Sequence, residues 1–303
     1  MHRRNSSWRA GGSVLAAVAL ATTMGVGVIG ISASVAGAKA APAIKNYSNK
    51  LSGNTNGWCT FAEGCNGAYN SYGTIDNVKA SYSNNGGYGA HAPAPVGQAK
   101  YARVSGAPGL GFDDTPLTPA TTESVTGCSR PGGEYCAGPY VVYGTGSYAV
   151  FPSTGFSTSI KIYIDTAWAA ANQGQVFDSD VSLNNNTGGY LVDNLYNLCS
   201  TATGWAVSVS QNAGGCTSGP TTLTTSGWYT FEEDFTPLNG DVYVTYTVLN
   251  ASGGSVFNAS HPVENPNTGL PLAIAATGGP NYYWIPDEDV LGLPVADISL
   301  TRN

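Results

Sequence analysis

The sequence predicts an all-β protein, an antiparallel β-sandwich of jelly-roll kind with one short helix. Apolar residues recur at every second position in several stretches, as in Ile160, Ile162 and Ile164 around Lys161 and Tyr163, and in Val242, Val244, Tyr246 and Val248. That period belongs to a strand with one buried face. Dense turn chemistry separates the stretches, such as NNNTGG at 184–189 and Asn239-Gly240, residues that accept the positive φ of tight turns. Charged side chains make up only 10% of the 303 residues, against 40 Gly and 18 Tyr. This composition suits many short strands.

Taken in order, residues 41–100 are rich in Asn, Gly, Tyr and Ser and read as edge strands and long loops, with HAPAP at 91–95 as a candidate linker. From residue 101 the strand signal strengthens. After the strand at 160–164, Asp165 is placed to cap a helix over TAWAAA at 166–171, with Gly174 just beyond it. Further strands are expected at 176–183, 190–198 and 205–210. Residues 228–235 and 242–249 form a hairpin around Asn239-Gly240, and 295–300 form the last strand. Residues 41–303 are therefore expected to make one sandwich domain, with 41–100 as its loop-rich beginning and 101–303 as its main part.

The first 40 residues carry a different message. Arg3, Arg4 and Arg9 precede a charge-free run at 14–31, and Ala36-Gly37-Ala38-Lys39-Ala40 offers two A-x-A cleavage sites. That is the pattern of an export signal spanning 1–40, with an uncleaved membrane anchor as the alternative. The reading makes the protein secreted, and it leaves no further apolar run for membrane contact. Its removal takes away Arg3, Arg4, Arg9 and Lys39 and no acidic residue. Eight basic residues then stand against 19 acidic ones, a net charge of about −11. Phosphate contacts need clustered Lys and Arg, so nucleic acid is excluded as a partner.

Six cysteines at 59, 65, 128, 136, 199 and 216 fall into three near-neighbour pairs. Cys59–Cys65, Cys128–Cys136 and Cys199–Cys216 form the simplest of the roughly 15 pairings. A zinc site is the rival reading, but no C-x-x-C is present and His91 and His261 stand alone.

Three segments, FSTSIKIYID at 156–165, GWYTF at 227–231, and Tyr283-Trp284 followed by LPVAD at 293–297, resemble recurring segments of exported bacterial proteins. Those proteins have concanavalin A-like or laminin-G-like jelly-roll folds. The resemblance spans about residues 140–303. It implies that fold, and it carries over no catalytic residue.

Several side-chain groups are candidates for function. Along residues 228–235, Tyr229, Phe231, Glu233 and Phe235 share one strand face, and Trp228, Thr230, Glu232 and Asp234 share the other. Carboxyls two residues apart on a strand are about 7 Å apart, within the range used in glycoside hydrolysis. Some concanavalin A-like glucanases carry E-x-D-x-x-E on such a strand. Here Glu232-x-Asp234 matches the start, and Pro237 stands where the last glutamate belongs. The missing acid favours a solvated acidic face over a catalytic pair.

Asp113-Asp114, Asp178-x-Asp180 and Asp287-Glu288-Asp289 read as oxygen-rich loop clusters of the sort calcium takes, with Asp178 and Asp180 as first candidates. Trp58, Tyr69, Tyr72, Tyr82 and Tyr88 lie in polar, turn-rich sequence. They are candidates for stacking on the apolar faces of sugar rings. Trp168, Trp205 and Trp228 read as core. No G-x-S-x-G or G-K-[ST] motif is present, so nucleophilic and phosphate-loop chemistry find no support. The expectation is a secreted, non-catalytic protein that binds a polysaccharide or cell-surface glycan. The alternatives are a glycan-active hydrolase using Glu232 and Asp234, and a structural surface protein with no small ligand.

Overall fold

Alternation of buried and half-buried residues runs the length of the strands at 156–164 and 241–249, and this pattern decides which face of each strand turns inward. The computed structural model describes residues 46–52, 58–59, 74–79, 88–89, 92–105, 140–142, 150–212, 214–216, 219–284, 290 and 292–303. The expected signal, Tyr69, Tyr72, Tyr82, Cys65, Cys128, Cys136, Asp113-Asp114 and Asp287-Glu288-Asp289 lie outside the described residues.

In chain order the strands are β1 (Tyr47–Asn49), β2 (Trp58–Cys59), β3 (Thr74–Lys79), β4 (Lys100–Ser105), β5 (Tyr140–Val142) and β6 (Phe156–Ile164). Helix α1 (Thr166–Ala171) follows, then β7 (Val176–Asn185), β8 (Tyr190–Thr201), β9 (Gly204–Gln211) and β10 (Thr221–Leu223). The chain continues through β11 (Gly227–Leu238), β12 (Asp241–Leu249), β13 (Ser255–Pro262), β14 (Thr277–Trp284) and β15 (Leu293–Arg302). Two antiparallel sheets result. The first runs β13-β12-β11-β6-β15-β4-β3, with β1 also on β15, and the second runs β10-β9-β8-β7-β14-β5-β2. The fold is an all-β sandwich with one short helix.

Inward residues of both sheets meet in one core. Phe156, Ile160, Ile162, Phe231, Phe235, Val244 and Val248 come from the first sheet, and Phe177, Val181, Tyr196, Leu198 and Trp205 from the second. Phe156 stacks on Phe235 with centroids 4.7 Å apart. Gly155 brings the chain past that pair at φ +85°, and a Cβ there would stand 2.1 Å from the Phe235 carbonyl oxygen. Only glycine fits.

The helix cap is the expected one. The Asp165 Oδ1 accepts from the Trp168 amide at 2.9 Å, supplying a partner for one of the free amides of the first turn. The hairpin is also as expected, with Asn239 at φ 55° and Gly240 at φ 93° joining β11 to β12 in a type I′ turn.

Two expectations are corrected here. The 91–95 stretch is not a free linker where it is described. Ala92 is buried with Tyr101, Trp228 and Ala296, and the Pro93 carbonyl accepts from the Trp228 indole at 2.7 Å. Trp228 is thus buried on the outer side of the first sheet rather than between the sheets. Asp178 and Asp180 do not sit in a loop either. They lie inside β7, which is buried on both faces.

The N-terminal strands join both sheets, with β1 and β4 pairing with β15, β3 with β4, and β2 with β5. The Arg103 guanidinium ties this region together by donating to the carbonyls of Tyr88, Gly89 and Gly292 and to the Tyr101 hydroxyl.

Candidate functional site

Three polar groupings stand out, one on the outer face of each sheet and one between the sheets.

On the outer face of the first sheet, Glu232 pairs across with Thr247 on β12 and Ser159 on β6. Asp234 pairs with Thr245 and Ser157 in the same way. Residues directly opposite in an antiparallel sheet share a face, so the two carboxyls stand among hydroxyls. The Asp234 Oδ1 accepts from Ser157 Oγ and from Asn303 Nδ2, both at 2.8 Å. Further along, Thr245 bonds Ser260, Asn258 donates to Thr247, and Ser159 contacts Ser299. Partial burial and the neighbouring Asp234 raise the Glu232 carboxyl above its ordinary range. Among the described residues no carboxyl faces this pair from an adjoining strand. A β-bulge at Ala296–Ser299 aims Asp297 at Lys161, and the resulting ion pair measures 2.6 Å.

On the outer face of the second sheet, β7 presents Asp178, Asp180, Ser182 and Asn184, and β8 presents Asp193 and Asn197. This follows from the register Asp178↔Asn197, Asp180↔Leu195 and Ser182↔Asp193. Asp178 and Asp180 are completely buried. The Asp178 Oδ2 accepts from the Gly215 amide at 3.1 Å, in a loop held by the Cys199–Cys216 disulfide with Cα atoms 4.9 Å apart. The expected pairing of these two cysteines is therefore present. The Ser182 hydroxyl lies 2.9 Å from Asp180 Oδ2 and 2.5 Å from Asp193 Oδ1, and the Tyr190 hydroxyl donates to Asp193 Oδ2 at 2.9 Å. Burial, then the nearby Asp193 and Glu233, push the Asp180 carboxyl well above its usual range.

Between the sheets, Glu233 is 2% exposed and stands directly opposite Tyr246. Burial alone drives its carboxyl far upward. Tyr196 crosses the gap from the second sheet and donates its hydroxyl toward the carbonyls of Glu232 and Thr247.

The expected sugar-stacking aromatics are only partly placed. Trp58 is in β2. Tyr88 is not exposed. It is buried against Trp168, Phe177 and Trp205, and its hydroxyl donates to the Tyr163 carbonyl and accepts from the Asp165 amide, both at 3.0 Å. A ring so enclosed has no face left for a sugar.

Sequence reading missed Ser182, Asp193 and the burial of Glu233. Only the pairing of β7 with β8, shifted by a bulge at Leu183/Asn184, sets Ser182 against Asp193. The shared-face pattern of Glu233 with Phe231 and Phe235 was the one available signal for its burial. Compared with protein families, with characterised proteins and with solved structures, the chain matches none.

Proposed function

We propose that the protein is exported and binds a polysaccharide or cell-surface glycan, without cleaving it, on the outer face of the first sheet. One observation carries the reading, namely that the cross-strand neighbours of Glu232 and Asp234 are Thr247, Ser159, Thr245 and Ser157. A half-buried sheet face of carboxylates, hydroxyls and amides fits the spaced hydroxyls of an extended sugar chain. Glycoside hydrolysis requires two carboxyls flanking the scissile bond. Here both lie on one strand, and Asp234 is engaged by Ser157 and Asn303. The resemblance to exported concanavalin A-like jelly rolls supports the reading by analogy of fold alone.

The test is binding of the purified, disulfide-intact protein to a panel of soluble glycans and insoluble polysaccharides. Saturable binding to one sugar class, weakened at least tenfold in a Glu232→Gln/Thr247→Val double variant, is expected. Release of reducing ends that Glu232→Gln abolishes would replace this reading with a hydrolase. Absence of binding across the panel would leave a structural surface role.

A further inference from the structure

The outer face of the second sheet differs from the first in being closed and short of positive charge. Asp180 is fully buried, and its Oδ1 has no hydrogen-bond partner. Its Oδ2 meets the Ser182 hydroxyl, which also meets Asp193 Oδ1. A serine hydroxyl has one proton and can donate to only one of two carboxylates, so the second short contact lacks a donor whenever both acids are ionised. Two residues further along the same face, Asn184 is 1% exposed, and neither its Oδ1 nor its Nδ2 has a partner. Buried polar groups left this way are destabilising. Among the described residues neither Asp180 nor Asp193 meets a basic side chain, and the Lys161–Asp297 ion pair lies on the other sheet.

We infer that Asp180, Asp193 and Ser182, with Asn184 beside them, form a binding site for a hard divalent cation of the calcium class. The full burial of Asp180 selects a small occupant, the carboxyls of Asp180 and Asp193 match a double charge once the cation displaces the proton that burial favours on Asp180, and the remaining groups supply neutral oxygens. Calcium accepts such irregular mixtures of carboxylate, hydroxyl, amide and water oxygens, whereas magnesium demands a strict octahedron. No cluster of three His, Cys, Asp or Glu side chains occurs among the described residues. Two charged ligands place the affinity in the range of extracellular modules, about 0.1–1 mM. The site differs from the pair the sequence put forward, because Asp178 is held by Gly215 and the serine bridge selects Asp193 in its place.

The test combines thermal unfolding with terbium luminescence on the purified, oxidised protein. Calcium at 10 mM, which is about ten or more times that range, should raise the midpoint by about 3–8 °C. The same concentration of magnesium should raise it much less. Terbium should show luminescence sensitised through Tyr190, displaced by calcium. Asp193→Asn and Ser182→Ala should abolish both responses, and Glu264→Gln, at an exposed position bridged to Pro271, should keep them. Asp193 is half-buried, so its variant serves where Asp180→Asn fails to fold. The absence of both responses in the unaltered protein would overturn the assignment. So would equal shifts with magnesium, or calcium responses that survive in Asp193→Asn.

Discussion

Glu233 and Tyr246 stand directly opposite each other on β11 and β12, both inside the sandwich, and Glu233 Oε2 and the Tyr246 hydroxyl each lack a hydrogen-bond partner. Burial raises both groups well above their ordinary ranges. The folded protein therefore favours neutral Glu233 more strongly than the unfolded chain does.

For an acid of this kind the folded state holds the extra proton. The stability Glu233 contributes is complete below about pH 4.3, the ordinary glutamate range, and is lost as pH rises through its raised folded value. Glu233→Gln should match the unaltered protein near pH 4 and exceed it by about 1–3 kcal/mol near pH 8. Urea unfolding of both proteins at intervals between pH 4 and 8 measures the gap, and a gap that does not widen with pH refutes the account.

Asp165 supports the helix and the N-terminal segment together. Its Oδ1 caps Trp168, and its Oδ2 accepts from the Gly89 amide at 3.1 Å. Asp165→Ala should cost about 2–3 kcal/mol and Asp165→Asn clearly less. Denaturant midpoints of the two variants provide the comparison.

Tyr88→Phe removes a hydroxyl that serves both the Tyr163 carbonyl and the Asp165 amide. A loss of about 1–3 kcal/mol is expected, with glycan affinity unchanged because the ring is enclosed. Calorimetric unfolding alongside a glycan-binding isotherm separates the two effects. Weakened binding at full stability would return Tyr88 to the role the sequence assigned it.

Replacing both Cys199 and Cys216 with Ser opens a loop of 17 residues, and the entropy of a loop that size corresponds to about 3 kcal/mol. The Gly215 contact to Asp178 should loosen with it. The expected readout is faster protease cleavage within residues 212–220 of the double variant at a temperature where both proteins remain folded.

Where one local signal decided a feature, the sequence disclosed it. Ile160, Ile162 and Ile164 declared a strand face by alternation, Asp165 a helix start, and Asn239-Gly240 a hairpin, because each depends on residues within a few positions. Tyr88 escaped for the opposite reason. Its surroundings in the chain are polar, and the partners that bury it lie at Asp165, Trp168 and Trp205. Asp178 and Asp180 look like loop acids in the sequence because nothing local explains carboxyls in a strand closed on both faces. Asp193 gained meaning only once Ser182 was its cross-strand neighbour, a register no short window encodes.

β15 lies in the interior of the first sheet, flanked by β6 on one side and by β4 and β1 on the other. Strands from near residue 47 and near residue 100 thus wait for a segment about two hundred positions away before they can dock. Such distant pairings slow folding. Until Leu293–Arg302 arrives, β6 and β4 present raw backbone edges able to recruit strands from other molecules. Truncation ahead of Leu293 should therefore lead to aggregation rather than to a smaller folded sandwich.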